Sequence, residues 1–284
     1  MILNGRMVAK RIQQQLTQQI QQLPSIPGLG IVVVGNRQDS RLYVSMKQKA
    51  CQQVGILHRT ITLPEKSSEQ EVINHIEQLN QCPNIHGILV QLPLPTHIES
   101  ETILNQISHE KDIDGFHVEN VGKLTINSKT PYIQSCTPKG IMRLLDEYNI
   151  SVKGKHVVVI GKSKIVGFPL STLLLHEEAT VTICHIETKE LETHTLQADI
   201  VIVAAGSPNL IQSQHIKPDA IVIDVGIHKL THEGNTVITG DVNYDSVKEK
   251  TKAISPVPGG VGPMTISMVL ENTLECYKNQ VCDS

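Results

Sequence analysis

His156-Val-Val-Val-Ile160-Gly161-Lys-Ser163-Lys-Ile-Val-Gly167-Phe-Pro169 runs from an apolar, strand-like segment through a glycine turn into a segment with proline in its first helical turn. Glycines at such a turn let the backbone close tightly and let a pyrophosphate reach a helix N-terminus. The stretch departs from the dinucleotide fingerprint at two places. Ser163 stands where a second glycine is expected, and the last glycine comes one place late, at Gly167. A serine hydroxyl can itself donate to phosphate. Alone, the stretch fits a bare strand-to-helix turn nearly as well. Gly161-Lys162-Ser163 also echoes the end of a P-loop, but that motif needs glycine at position 156, where His156 sits inside the strand.

Working outward, apolar runs at 180–184, 200–203 and 220–223 supply further strands, with helices between the earlier ones. Upstream, Thr137 caps and Pro138 opens a helix to about Tyr148. The N-terminal half repeats the alternation. An amphipathic, Gln-rich helix over 7–22 precedes a strand at 30–34, a helix-like stretch through Gln53 and a strand at 58–62. Ser68 and Glu71 then form a capping box ahead of Val72, Ile73, Ile76 and Leu79, and a third strand follows at 87–90. Strands alternating with helices specify α/β architecture with parallel sheets. The expected fold has two domains, one of them a Rossmann-like nucleotide-binding domain. A last helix, from Thr265 to about Lys278, is expected to return to the first domain.

At 284 residues the chain can bury two cores. A formal net charge of -3 with dispersed signs implies no nucleic-acid or membrane-surface field. Aromatics are 2% of residues, so stacking on bases is not expected. The cysteines at 51, 82, 136, 184, 276 and 282 include no C-x-x-C pair; they read as reduced thiols of a cytoplasmic protein, with neither a disulfide frame nor a metal site. No apolar run approaches a membrane span, no signal peptide opens the chain, and Cys282 stands third from the end, outside a prenylation box.

Tyr43 and Lys47 are four apart and share a helix face. Spacing alone favours a solvated lysine beside a half-buried tyrosine. Gln91, between the strand at 87–90 and Leu-Pro-Leu-Pro95, tips a strand at the edge where α/β sheets hold ligands. Asp112-Ile-Asp114-Gly-Phe116 is also compatible with a plain Asx turn. At the end of the second strand of the nucleotide series, in 184–188, Glu187 favours NAD unless it is only an exposed helix-start acid, whereas Lys162 favours NADP. Near the end, Ser255-Pro-Val-Pro-Gly-Gly-Val-Gly-Pro-Met-Thr265 could be a tight loop and nothing more, although six of its eleven residues are glycine or proline.

Taken in order, 43–49, 87–95, 112–116, 136–138, 161–167 and 256–265 resemble the bifunctional methylenetetrahydrofolate dehydrogenase/cyclohydrolase family of the bacterial FolD type. The resemblance runs from the first helix to the last. It implies oxidation of 5,10-methylenetetrahydrofolate with NADP⁺, with NAD possible, and then hydrolysis of the methenyl product to 10-formyltetrahydrofolate, as part of one-carbon metabolism. It implies a folate-binding catalytic domain of residues 1–118 with 264–284, a cofactor domain of 137–258, and a homodimer formed through the latter. Lys47 would be the catalytic base, with Tyr43 packing on the folate, Gln91 orienting Lys47 and Asp114 anchoring the pterin. Gly161, Lys162, Ser163, Ile186 and Ile227 would hold the cofactor. Pro258, Gly259 and Gly262 would present bare backbone to the ligands at the domain junction. Family members often carry Arg where Lys162 stands, Pro where Ser135 stands, and Ser-Arg/Lys where Ile186-Glu187 stand.

Overall fold

The computed structural model describes residues 1–130, 132–232 and 235–281; Cys282 lies outside them. In chain order the elements of the first half are α1 (Gly5–Ile20), β1 (Gly28–Val34), α2 (Gln38–Val54), β2 (Leu57–Leu63), α3 (Glu69–Gln81), β3 (Gly87–Val90), α4 (Ser100–Leu104) and α5 (Val118–Thr125). There follow α6 (Cys136–Glu147), β4 (His156–Ile160), α7 (Gly167–His176), β5 (Thr180–Cys184), α8 (Leu191–Thr195), β6 (Ile200–Val203) and β7 (Ile221–Asp224). The last are β8 (His228–His232), β9 (Asn235–Thr239), α9 (Tyr244–Val247), β10 (Ala253–Ile254) and α10 (Val261–Val281).

Two compact units emerge. The first comprises Arg11–Cys136 with Ile266–Ser284; the second comprises Met1–Lys10 with Thr137–Thr265. In the first, β2, β1 and β3 form a parallel sheet in that order. All seven residues of β1 are buried, as expected of a central parallel strand covered on both faces. Ser68 caps α3 by accepting from Glu71 N–H at 3.2 Å, and Val72, Ile76 and Leu79 turn inward onto Val32, Ile88 and Val90.

The C-terminal helix does return to this unit. Asn272, fully buried, donates from Nδ2 to the carbonyls of Ile113 and Gln134, both at 2.8 Å. Gln280 bonds the carbonyl of His86, and the Tyr277 ring packs edge-on to that imidazole at 4.8 Å. His86 Nδ1 accepts from Gly28 N–H at 3.0 Å, so the ring must be neutral there. Burial, and then the Lys111 ammonium, hold its pKa below 6.5. The unfolded chain therefore takes up this proton first as pH falls. The His86 contribution to stability is complete above 6.5 and declines as pH drops below it; urea unfolding of wild type and His86→Gln across that range should show the decline only in wild type.

The second unit holds a five-stranded parallel sheet ordered β10-β7-β6-β4-β5. Its direction of winding reverses between β4 and β6, which places the ligand crevice of a doubly wound sheet at their carboxyl ends. The first residues of the chain extend its far edge: Leu3 N–H donates to Ile254 O at 2.9 Å, and Ile254 N–H to Met1 O at 3.0 Å. The expected domain of 1–118 set Met1–Lys10 in the other unit. These pairings, with a partner about 250 residues away in sequence, are the reason for the difference. The segment beyond 118 likewise joins the first unit, through buried Asn120, which bonds His109 O, Asp112 and Ile133 N–H. The antiparallel pair β8–β9 and the short helices were not singled out by the sequence pattern.

Candidate active site

Helix α2 follows β1, which sets its N-terminal half near the carboxyl edge of the first sheet. Lys47 is only 9% exposed there, whereas Lys49 lies in solvent. Lys47 Nζ donates to Gln91 Oε1 at 3.0 Å. Gln91 stays in the sheet ladder through its N–H to Val32 O at 2.8 Å, and its Nε2 donates to Leu92 O at 2.7 Å. That second bond turns Oε1 toward the lysine. Desolvation pushes the Lys47 pKa down, offset in part by the charge of Asp114. Asp114 is half-buried, and desolvation raises its pKa, against the pull of Lys47 and a hydrogen bond from Cys136. Lys47, Gln91 and Asp114 are thus gathered at one place, with half-buried Tyr43 one turn before Lys47. Cys51, one turn after it, is buried with its thiol pushed up to about 12, so it is no nucleophile.

Asp112 supports this group and was not read from the sequence as more than a turn residue. It is 1% exposed and accepts from Gly115 N–H at 3.1 Å, His117 N–H at 2.8 Å and Asn120 Nδ2 at 3.0 Å. Desolvation raises its pKa to about 6 despite those donors. Gly115 has φ +67°, and a Cβ there would run into the Ile133 carbonyl, which makes this a glycine position. Replacing Asp112 with Ala leaves His117 N–H without its acceptor, while Gly115 N–H keeps only a 3.4 Å bond to the residue-112 carbonyl and Asn120 Nδ2 keeps only His109 O, at 2.9 Å. It should cost about 1–3 kcal/mol and loosen the loop that carries Asp114; chemical denaturation checks the loss and hydrogen exchange of the 112–117 amides checks the loosening.

In the second unit Gly161 has φ +122°, and its N–H donates to Cys184 O at 2.8 Å. A Cβ on Gly161 would overlap the Ala204 carbonyl, and one on Gly167 the Gly161 carbonyl. These are the tight-turn and close-packing glycines of a dinucleotide crevice. Ser163 Oγ accepts from Val166 N–H at 3.2 Å and Gly167 N–H at 3.4 Å, bracing the turn that enters α7 and leaving the hydroxyl proton to donate. Lys162 is exposed beside it. The residues fit a dinucleotide. At the end of β5, His185 N–H bonds Thr188 Oγ1 at 2.9 Å and Glu187 N–H bonds His185 Nδ1 at 3.2 Å. Glu187 therefore belongs to this turn rather than to a helix start, since α8 begins at Leu191. Ile186 is 95% exposed at its tip, and Ile227 is half-exposed after β7.

The segment 255–265 is an ordered loop running into α10. Gly259 has φ +113° and its carbonyl accepts from Arg6 N–H at 2.9 Å, while Pro258 is exposed. A Cβ on Gly260 would press on the Pro256 carbonyl at 2.6 Å. Gly262 differs: a Cβ there would meet only Ile227 Cδ1, at 3.4 Å, so the fold itself does not demand glycine.

Two family models match the chain. One, described as the tetrahydrofolate dehydrogenase/cyclohydrolase catalytic domain, covers residues 3–114; the other, the NAD(P)-binding domain of the same enzymes, covers 135–281. The bifunctional protein FolD of Francisella philomiragia is 47% identical over 279 residues, 97% of each chain. The crystal structure of the bifunctional enzyme FolD, methylenetetrahydrofolate dehydrogenase/cyclohydrolase, from Campylobacter jejuni superposes with a TM-score of 0.95 at 45% identity over 99% of both chains. The Trypanosoma brucei methylenetetrahydrofolate dehydrogenase-cyclohydrolase, solved with NADP cofactor and inhibitor, gives 0.95 at 38% identity over 99% of this chain and 98% of its own. With both domain models matched in order and near-complete coverage, the chain belongs to the tetrahydrofolate dehydrogenase/cyclohydrolase family.

Proposed function

We propose that Lys47, Gln91, Asp114 and Tyr43 form the folate site of a bifunctional enzyme. It oxidises 5,10-methylenetetrahydrofolate with NADP⁺ and hydrolyses the methenyl product to 10-formyltetrahydrofolate. The observation that carries the assignment is the buried Lys47 amine, hydrogen-bonded at 3.0 Å to Gln91 and depressed in pKa by desolvation. NADP⁺ supplies the hydride acceptor when held by Gly161, Lys162, Ser163, Ile186 and Ile227. Oxidation leaves the folate carbon cationic. A lysine ammonium beside that carbon would oppose the charge, whereas the neutral amine does not. The Nζ lone pair then takes a proton from water as its oxygen attacks the carbon. Gln91 Oε1 aims Nζ, and the Asp114 carboxylate accepts paired N–H bonds from the pterin. Tyr43 packs its ring against the folate.

We assign the folate role to the unit Arg11–Cys136 with Ile266–Ser284, and the cofactor role to the unit with Thr137–Thr265. The protein should raise methenyl absorbance with methylenetetrahydrofolate and NADP⁺ and then hydrolyse the product. Absence of turnover with both NADP⁺ and NAD⁺ would sink the assignment, and the parallel run measures which cofactor the enzyme prefers.

The second unit also offers a surface for a second copy. Strand β5 is a sheet edge, and Phe168 and Leu175 of α7 with Ile183 of β5 are exposed apolar residues along it. A homodimer through this face predicts twice the chain mass in light scattering, and monomers on Ile183→Lys. Among the described residues, no helix is long and apolar enough to cross a membrane, and five cysteines are free thiols, which supports a cytoplasmic location.

A further inference from the structure

The carboxyl ends of the second unit's strands are tied together by two buried carboxylates outside the glycine fingerprint. Asp224, closing β7, accepts from Gly226 N–H at 3.0 Å, Asp241 N–H at 2.9 Å and Val242 N–H at 3.0 Å. Asp241 is fully buried, and its Oδ2 accepts from Ala205 N–H at 2.7 Å and Gly206 N–H at 2.9 Å, in the loop after β6. Its Oδ1 is 2.6 Å from His228 Nε2. A carboxylate only accepts, so His228 donates. Glycine makes the room: a Cβ on Gly226 would strike the Asp241 carboxylate, and one on Gly240 the Asp224 carboxylate. Loops 204–206, 224–228 and 240–242 are therefore one hydrogen-bonded block. It lines the edge where the sheet reverses, and Gly161 packs on its Ala204 carbonyl. His228 is partly exposed and is the chain neighbour of Ile227, which is half-exposed.

We propose that His228 is a positioning residue for the dinucleotide. By donating to Asp241 it holds the loop carrying Ile227 against the loop after β6, in the arrangement that receives the cofactor. The inference rests on the assignment of this crevice to NADP⁺. Without the imidazole, Asp241 keeps its two backbone donors and the block stays folded, but the Ile227 loop loses its side-chain tie.

Calorimetric NADP⁺ binding and both activities of wild type, His228→Ala and His228→Gln test it. Loss of one charge-assisted hydrogen bond at a binding loop should raise the NADP⁺ Kd and the dehydrogenase KM about tenfold. The cyclohydrolase rate, which needs no cofactor chemistry, should stay within about twofold. The Gln amide nitrogen can occupy the place of Nε2, so His228→Gln should recover most of the affinity. An unchanged Kd in His228→Ala overturns the proposal. So does an equal loss of both activities with a lowered Tm, or a Gln variant no better than Ala. Wild type that binds no NADP⁺ would instead remove the crevice assignment itself, and the proposal with it.

Discussion

Lys47→Met should abolish cyclohydrolase activity, by at least about 10²- to 10⁴-fold, the usual contribution of a positioned general base. The protein should stay folded. Methionine matches the aliphatic stem of lysine, and it removes an amine whose burial is unfavourable to its charged form. Against this, Gln91 Oε1 loses its donor, which costs about 1–3 kcal/mol if water cannot replace it. Circular dichroism melts should therefore move modestly while hydrolysis disappears. The pH dependence carries the same signature. In the proposed mechanism the neutral amine is the active form, so wild-type hydrolysis should fall as pH drops through the depressed Lys47 pKa, and the residual rate of Lys47→Met should lack that limb. An unaffected hydrolysis rate in the variant would refute the role of Lys47.

Gly262→Val should cut dehydrogenase turnover by about 10²-fold, the penalty typical of a displacement near 1 Å in a reacting complex. Its stability should change by less than about 1 kcal/mol, because valine is a slightly better helix former than glycine. The space argument is specific. A Cβ at 262 meets a single flexible methyl, Ile227 Cδ1 at 3.4 Å, so the added side chain competes for the space beside Ile227. Gly260→Ala is the contrasting variant. Its Cβ presses on the Pro256 carbonyl, so it should lose stability first and activity only as a consequence. If Gly262→Val unfolds the protein instead, 255–265 is only a turn, as its composition alone allowed.

Strands β3, β4, β5 and β6 have the bounds read from sequence, because each is a short apolar or alternating run ended by turn residues. Ser68 caps α3 as its spacing requires, since capping is a bond within four residues. Lys47, Gln91 and Asp114 could be named from motifs. Their convergence depends on three chain segments meeting at one sheet edge, and local periodicity carries no information on that. Asp112, Asn120 and Asn272 left almost no signal, because each is an ordinary polar residue until burial makes its partners obligatory.

The sequence by itself determined the alternation of strands and helices, the turn glycines Gly161 and Gly167, and the family to which these motifs belong. Those features are local, set by periodicity, backbone sterics and hydrogen bonds within a few residues. Only the tertiary structure decided that Met1–Lys10 pairs with the sheet of the second unit, and that Gly262 has room where Gly260 has none. It also decided that Lys47 is buried, with its pKa lowered by desolvation, rather than solvated. The physical reason is common to all three. Exclusion of water and close approach of backbone are made by residues far apart in the chain, and only the folded core brings them together.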